Sequence, residues 1–442
     1  MESGSRNRAT AIWAALAVIA IAGLGLRLHY AVEQPFRQPP DAVAYQQIAE
    51  NLYRDGSFDV RPPGVAHELQ PTSSYSPGLP LLVAALYWLT GGVHPTLVLI
   101  TLALVGSAAI PLTLLLGRQL AGPIAGLFAA GLLAFYPALL EYQGLLLTEP
   151  LAAFLLSAAL LVFLRAVERP SLRPWLADGA LLGLLALVRP EYLAIVVLLP
   201  LAWLVREWRQ GRLRRAATLA GIALLGAVAV LVPWTVRNFI VLDRAVPVST
   251  GGGKALYIGT YLDADGDGPK LRELLLAQRP RLRERLSQGG RLDDTSRQVL
   301  ERVLAEVART RYPDLETDAA LGRMGRANLI DDVTERPAAF AGMLVDKAYE
   351  TWTDAARRVM EREPWRAIQL GVVILALIGL ATLAARRRFE AAVCGLLLAY
   401  MTAISALLIA SPRRMLVMAP LLAALAGVGP AYIGCWLQEQ RS

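Results

Sequence analysis

A carboxylate stands just beyond the first long apolar segment of this 442-residue chain. Asp41 follows Pro39-Pro40 and precedes a helical pattern that we predict over residues 42–54. An acid at this position lies at the boundary of a membrane and faces a groove that a lipid head group could enter. The alternative is that Asp41 only caps its helix, which Pro-Pro-Asp before a helical run predicts by itself.

Four arginines at the ends of apolar segments form a second candidate group: Arg189, Arg237, Arg413 and Arg414. In the topology predicted below, they lie on the side of the membrane that is normally poor in arginine, so a negative group must compensate their charge. A lipid phosphate fits this requirement, because guanidinium groups bind phosphate oxygens in pairs. Snorkelling of the side chains to ordinary lipid head groups is the alternative.

Two further residues carry weaker signals. Glu149, more than Glu141, lies in a short turn before an apolar segment. An acid at a helix N-terminus is ordinarily a favourable partner of the helix dipole, which is the alternative to a chemical role. Lys254 follows three glycines, as in a phosphate-binding turn, but no Gly-Lys-Ser/Thr pattern follows, so this is not a P-loop.

The sequence predicts no cofactor and leaves a divalent cation open. Asp263, Asp265 and Asp267 match the first half of a calcium loop, but Leu274 stands at its twelfth position, so a solvated acidic turn is favoured. The three histidines are far apart in the sequence and lack the spacing of zinc ligands. Both cysteines lie inside apolar runs, which indicates inert side chains at lipid depth.

The amino-acid composition indicates which kind of structure positions these residues. Hydrophobic residues make up 55% of the chain and charged residues only 18%, against roughly a quarter in soluble domains, and the mean hydropathy is +0.45. This excludes a conventional soluble enzyme. We predict an all-α polytopic membrane protein with about ten transmembrane helices. They cover residues 11–30, 95–116, 123–140, 151–167, 175–188, 192–205, 216–235, 367–385, 389–410 and 415–436.

The arginine-rich loops test this topology. If ten helices alternate, the loops rich in arginine fall on the same side as Arg6, which predicts a cytoplasmic N-terminus in the plasma membrane and an uncleaved first helix. The prediction requires that the apolar segment 77–90 does not cross. Its length suits an interfacial or re-entrant helix.

Charge divides the chain into three predicted regions. Residues 1–240 form an N-terminal transmembrane catalytic module with a first outer loop at 31–94, and residues 366–442 form the C-terminal transmembrane helices. Between them, residues 241–365 carry 20 basic and 21 acidic residues and form a mainly helical outer insert, with helices at 269–286, 294–309, 317–335 and 337–352. The net charge of +8 therefore reflects membrane orientation and does not indicate nucleic acid.

Several short motifs follow one another along the chain, and their order and spacing are more specific than any one of them alone. They are Asp41 with Tyr45 and Gly56, Tyr-Ser-Pro-Gly-Leu-Pro at 75–80, Gly-Arg-Gln-Leu-Ala-Gly at 117–122, Leu-Thr-Glu-Pro at 147–150, Arg189-Pro190-Glu191, Pro-Trp-Thr-Val-Arg-Asn at 233–238, Val-Pro-Val-Ser-Thr-Gly-Gly at 246–252, Tyr-Ile-Gly at 257–259 and Pro412-Arg413-Arg414. Together they resemble the GT-C superfamily of polytopic glycosyltransferases. The likeness is to the branch of protein O-mannosyltransferases, aminoarabinose transferases and RgtA/B/C/D-like bacterial relatives.

The resemblance implies an inverting transfer of a sugar from a polyprenyl-phosphate donor to an acceptor. In such enzymes an acid in the first loop acts as general base or orients the acceptor hydroxyl, which here is Asp41. Many relatives carry two adjacent acids there, whereas Ala42 follows Asp41, which puts a two-carboxylate metal site in doubt. The predicted site residues then take these roles: catalytic Asp41 and Glu149; donor-phosphate-binding Arg189, Arg237, Arg413, Arg414 and Lys254; substrate-groove Tyr45, Tyr75 and Glu191.

These inferences favour an integral-membrane glycosyltransferase that works at the outer face of the membrane. Its expected partners are a polyprenyl-phosphate sugar, membrane lipids and an acceptor that is a glycan, a lipid or a protein. A transporter or flippase of lipid-linked sugars is the alternative, but it should place charges near the bilayer midplane, and the acids here cluster in outer loops. A non-catalytic membrane scaffold that binds partners through the insert is a third hypothesis.

Overall fold

The computed structural model describes residues 2–33, 38–60, 70–288, 297–353, 364–410 and 413–432. These parts of the chain are almost entirely helical. Two strands, β1 (Asp59–Val60) and β2 (Gln70–Pro71), form a short antiparallel pair in which Asp59 lies opposite Pro71. The predicted all-α fold class is confirmed.

Ten α-helices precede the predicted insert in the described residues. They are α1 (Glu2–Glu33), α2 (Pro40–Asp55), α3 (Gly78–Thr90), α4 (Pro95–Ala121), α5 (Pro123–Ala134), α6 (Pro137–Glu141), α7 (Glu149–Glu168), α8 (Leu172–Val188), α9 (Ile195–Trp208) and α10 (Leu213–Leu242). Short 3-10 turns occupy Tyr142–Gly144 and Pro190–Tyr192. Proline stands in the first turn of α2, α4, α5, α6 and α7, where its missing N–H leaves no helical hydrogen bond unmade.

The remaining described helices follow in two groups. The insert contains α11 (Gly252–Gly259), α12 (Gly268–Ala277), α13 (Pro280–Gln288), α14 (Arg297–Arg311), α15 (Thr317–Glu335) and α16 (Pro337–Thr353), with a 3-10 turn at Leu262–Ala264. The C-terminal region contains α17 (Trp365–Ala385), α18 (Phe389–Leu407) and α19 (Arg413–Ala426). The prediction of one helix over 269–286 was wrong, because Pro280 begins a new helix. The predicted start at Asp294 lies outside the described residues.

Seven described helices are long and apolar enough to cross a membrane, and the pair α5–α6, bent by 42°, would make an eighth. Counting only helices of at least 18 residues therefore gives seven or eight of the ten predicted spans. The other two predicted spans are α8, with 17 residues, and α9, with 14. They are shorter than the other spans, yet both run the length of the bundle. Arg189, directly after α8, contacts Glu149 at the start of α7, and Arg215, shortly after α9, donates to the carbonyl oxygen of Pro170 just beyond the end of α7. Helix α3 has 13 residues, shorter still, as predicted for the segment that does not cross.

Helix α19 stands at the centre of the bundle. Within an 18-residue apolar stretch of its span, Arg413–Tyr432, 83% of the residues are buried, against 17% in the corresponding stretch of α1. It packs against α4, α5, α7 and α17. A central helix brings its N-terminal residues to the middle of one end of the bundle, and those residues are Arg413 and Arg414.

Glycine permits the closest helix crossing, between α8 and α10. A Cβ atom on Gly179 would lie 1.8 Å from the carbonyl oxygen of Ala223, and one on Gly226 would lie 2.4 Å from that of Leu176. The two backbones are therefore in contact, as at small-residue interfaces between membrane helices. This contact fixes the N-terminal half of α8 against α10, and the C-terminal end of α8 leads directly into Arg189.

A buried arginine donates hydrogen bonds to the backbone carbonyl groups at the break between α5 and α6. Arg27 of α1 is 1% exposed, and its guanidinium group donates to the carbonyl oxygens of Leu133 and Ala134, each at 2.9 Å. These carbonyls stand at the C-terminus of α5, where no helical N–H reaches them. The bend that follows redirects the chain toward the turn before Glu149.

Candidate functional site

One arginine joins two acids that are distant in the sequence. Arg413 donates through Nη1 to Oδ2 of Asp41 at 2.9 Å and through Nε to Oε1 of Glu149. Asp41 comes from α2, Glu149 is the first residue of α7, and Arg413 is the first residue of α19. The planar guanidinium fork suits this bridge because it presents several N–H groups in fixed directions.

A second set of ion pairs continues from Glu149. Arg189 lies 3.4 Å from Oε1 of Glu149 through Nη1, and donates through Nε to Oε1 of Glu191 at 2.8 Å. Arg414 lies 3.9 Å from the same oxygen of Glu191. We call Asp41, Glu149, Arg189, Glu191, Arg413 and Arg414 the acid–arginine cluster. Its three carboxylates and three guanidinium groups balance in charge.

Burial makes these contacts strong. Glu149 is fully buried, and its Oε2 has no hydrogen-bond partner among the described residues, which leaves one acceptor position open. Burial by itself would raise the pKa of Glu191, but Arg189 and Arg414 hold it below the usual carboxyl range. Burial likewise works to lower the pKa of Arg189, and Glu191 with Glu149 raises it instead. Arg189 and Glu191 are therefore held in their charged forms.

The first loop places Asp41 in the first turn of α2. Pro39 is the N-cap residue of this helix, and Asp41 is its second residue. The left-handed residue Gly56, at φ 68°, ends the helix and lets the chain turn back toward β1.

Two predicted groove tyrosines lie beside Asp41. Tyr45, one turn further along α2, packs edge to face against Tyr75 with ring centroids 5.7 Å apart. Burial, together with the charge of Asp41, raises the pKa of the Tyr45 hydroxyl above its usual range, so it stays protonated and can donate a hydrogen bond.

The structure does not bring two predicted phosphate ligands to this cluster. Arg237 donates to the carbonyl oxygens of Thr72 and Phe58, at 3.0 and 3.1 Å, and thereby holds the first loop. Lys254 forms an ion pair with Glu301 at 2.6 Å inside the insert. The site thus contains Arg189, Arg413 and Arg414 of the predicted phosphate ligands.

Comparisons with known proteins place this arrangement in a known architecture. A family model described as dolichyl-phosphate-mannose-protein mannosyltransferase matches residues 74–236, which include Glu149, Arg189 and Glu191 but neither Asp41 nor Arg413. A comparison with curated protein sequences gives no match.

Among solved structures, the oligosaccharyltransferase AglB of Archaeoglobus fulgidus superposes with a TM-score of 0.57 at 14% identity, over 97% of this chain and 51% of that one. The apo form of the oligosaccharyltransferase from the same organism gives 0.58 at 15% identity, over 94% and 50%. The chain therefore spans about half the length of these proteins. ArnT of Cupriavidus metallidurans superposes more loosely, with a TM-score of 0.40 at 16% identity, over 96% and 78%.

The chain has the GT-C fold. The resemblance inferred from the sequence motifs is confirmed at this level, as is a multi-pass membrane protein.

In this GT-C fold the predicted acidic turn holds its acids apart from one another. Asp263 pairs with Arg336 at 2.7 Å, Asp265 pairs with Lys270 at 2.6 Å, and Asp267 caps α12 by accepting from the backbone of Lys270. Across the described parts of the chain, no group of three or more His, Cys, Asp or Glu residues could hold a metal ion.

Sequence reasoning missed one residue that aligns the two acids. The side-chain amide of Gln38 donates to the carbonyl oxygen of Gly144 and accepts from the N–H of Leu146, each at 3.0 Å. Gln38 stands three residues before Asp41, and Leu146 three before Glu149, so one amide fixes both acid-bearing segments. No pattern in the sequence marks it.

A second missed residue had a visible signal. Lys347 is 3% exposed and lies on the face of α16 that buries Phe340, Met343 and Thr351. A lysine at the spacing of an apolar helical face is rare and usually has a specific partner. The chain contains only three lysines, which makes this position more conspicuous.

Proposed function

We propose that this protein is an inverting glycosyltransferase that moves a sugar from a polyprenyl-phosphate donor to an acceptor hydroxyl at the outer face of the plasma membrane. One observation carries the proposal: Arg413 binds the carboxylates of both Asp41 and Glu149 at the end of a membrane bundle. Acid and cation side by side are what this transfer requires, because one proton must be accepted and one leaving phosphate must be neutralised.

Asp41 is the general base in this proposal. The acceptor hydroxyl gives its proton to Asp41 as its oxygen attacks the anomeric carbon of the donor sugar. A new carbon–oxygen bond forms on one face of the ring while the bond to the phosphate oxygen breaks on the other, which inverts the anomeric centre. The ion pair with Arg413 supports this role because it holds the Asp41 carboxylate directly beside an arginine of the donor-phosphate site.

Arg189, Arg413 and Arg414 bind the donor phosphate. Negative charge develops on the leaving phosphate oxygen, and guanidinium groups already held by buried carboxylates need little reorganisation to receive it. Glu149 orients Arg413 and Arg189 through Oε1. The AglB structure was determined in complex with an inhibitory peptide and a dolichol-phosphate, which supports a polyprenyl-phosphate donor for a chain of the same fold.

The division of labour along the chain follows from this site. Residues 1–240 supply Asp41, Glu149 and Arg189, residues 366–442 supply Arg413 and Arg414, and the insert of residues 241–365 lies between these two regions in the sequence. A cytoplasmic N-terminus places the cluster on the outer face. The acceptor is a glycan, a lipid or a protein.

Mass spectrometry of lipid-linked sugars and envelope glycans, from cells with and without the gene, tests the proposal. We expect one polyprenyl-phosphate sugar to accumulate and one glycan substituent to disappear in cells without it. Complementation with Asp41→Asn should leave both changes in place, whereas Asp55→Asn, an exposed acid on the same helix, should reverse them. Unaltered glycans together with a donor trapped on the cytoplasmic face would instead favour a flippase.

A further inference from the structure

We propose that Lys347 of the insert is a positioning residue for the donor-phosphate arginines, acting through residues 408–410, the segment that leads from α18 toward Arg413. The inference rests on the proposed function, because it assigns the insert a task in donor binding. Four observations support it: a buried ammonium group, a contact between backbones, a shared apolar core and the charge balance of the cluster.

Lys347 ties α16 to the end of α11. Its Nζ donates to the carbonyl oxygen of Gly259 at 2.7 Å, and the side chain is 3% exposed. Gly259 is the last residue of α11, so its carbonyl is one of those that no helical N–H satisfies. Gly266 closes over the lysine: a Cβ atom there would come within 2.8 Å of Nζ.

Gly259 in turn touches the segment before Arg413. A Cβ atom on Gly259 would lie 2.4 Å from the carbonyl carbon of Leu408 and 2.5 Å from the carbonyl oxygen of Leu407. Only a glycine allows the backbones of α11 and the end of α18 to approach so closely. The group that Lys347 holds is therefore in direct contact with the chain that carries the cluster arginines.

Ile409, the residue after Leu408, connects the insert to Arg414. The side chain of Ile409 packs against the apolar core of the insert, which includes Tyr257, Leu271 and Leu321. Its carbonyl oxygen accepts a hydrogen bond from Nη1 of Arg414 at 2.6 Å. One residue thus has its side chain in the insert and its backbone on a cluster arginine.

The positive charge of Lys347 adds to the binding of a donor phosphate. The acid–arginine cluster is balanced, with three carboxylates and three guanidinium groups, so it offers a phosphate no surplus positive charge. Lys347 adds one. Its pKa is lowered to about 8, by burial first and then by the charge of Arg414, against a small opposing effect of Glu350 on its own helix.

The acids of the nearby loop do not offset this charge, since each has a partner of its own. Asp265 pairs with Lys270, and Asp263 pairs with Arg336. A phosphate bound near Arg414 favours the protonated lysine, so donor affinity is highest below pH 8 and declines as the pH rises through that value.

The experiment measures binding of radiolabelled undecaprenyl phosphate to the full chain in nanodiscs between about pH 7 and about pH 9, a window around the lysine pKa of about 8. We expect Lys347→Met to weaken binding at the lower pH by about tenfold, the order of one unit charge at intermediate distance. The variant should also flatten the decline with pH. Arg309→Met, which removes an exposed positive charge from α14 of the same insert, is the matched control and should bind as the wild type does.

The Gly259→Ala variant is an independent test, because it keeps the lysine but displaces residues 408–410. It should weaken probe binding while the decline with pH remains. If Lys347→Met binds like the wild type at every pH while Arg413→Gln abolishes binding, the inference is wrong and the proposed donor site stands. If the wild type itself does not bind the probe, both are overturned.

Discussion

Arg413 and Asp41 are 372 residues apart in the sequence, and a hydrogen bond of 2.9 Å joins Nη1 of the arginine to Oδ2 of the aspartate. The same guanidinium group holds Glu149 through Nε. The first loop, the start of α7 and the start of α19 therefore meet at a single side chain. The site assembles only when the N-terminal and C-terminal parts of the bundle pack together.

Removing the charge of Asp41 should stop the chemical step and spare donor binding. Asp41→Asn keeps a side-chain oxygen that can accept from Arg413 but can no longer take a proton. We expect kcat for sugar transfer to fall by about 100-fold or more, in the range that general base catalysis contributes. Transfer assays with lipid extracts as donor and equilibrium binding of undecaprenyl phosphate check both parts. Transfer at the wild-type rate would remove Asp41 from the mechanism.

Arg413 should be more important for stability than an ordinary end-of-helix arginine. Arg413→Gln leaves fully buried Glu149 with Arg189 alone, at 3.4 Å, and removal of one partner from a buried pair costs about 3 kcal/mol. Thermal unfolding in detergent measures the effect. The double variant Arg413→Gln/Glu149→Gln should unfold at a higher temperature than the single Arg413→Gln variant, because no uncompensated charge remains. Additive losses would contradict the ion pair.

Acid should destabilise the site through Glu191. Because the folded-state pKa of Glu191 is lowered, its ionised form contributes stability above the unfolded-state pKa of about 4.3, and that contribution is lost as pH falls through the lower folded-state value. We expect the unfolding temperature to be steady near neutral pH and to drop below about pH 4.3. In Glu191→Gln it should be lower at neutral pH and depend less on acid. Exposed Glu335→Gln serves as control.

Gln38 should affect catalysis through alignment. Gln38→Ala loses both hydrogen bonds to the 144–146 turn, so Asp41 can shift relative to Glu149. Misplacement of a catalytic group by about 1 Å can lower the rate about 100-fold. We expect a lower kcat with little change in the affinity for undecaprenyl phosphate. Gln46→Ala, which loses only a contact with Glu50 on the same helix, should retain activity.

The contact between α8 and α10 should tolerate no added methyl group. Gly179→Ala places a Cβ atom 1.8 Å from the carbonyl oxygen of Ala223, so the helices must separate, at a cost of about 1–3 kcal/mol. Gly221→Ala, on the open side of α10, meets no atom within 4 Å and should be neutral or stabilising. Thermal unfolding of the two variants, compared in one detergent, tests whether the crossing is as close as described.

Much of the fold follows from local pattern. Apolar runs located the predicted spans on helices, and start signals located α15 at Thr317 and α16 at Pro337. The pattern failed within the predicted span 123–140, which the structure divides into α5 and α6 with a bend of 42°. It also failed at Pro280, where the proline begins a new helix although the amphipathic pattern continues.

The sequence by itself determined which residues could do chemistry: an acid beyond the first span, an acid before α7, and arginines where arginine is unexpected. These are local properties, set by residue type and by distance along the chain from an apolar segment. Only the tertiary structure decided which of them meet. Arg413 joins Asp41 and Glu149, whereas Arg237 and Lys254 are bound elsewhere, because pairing across hundreds of residues depends on how the helices pack, and helices that look alike in sequence differ in that packing.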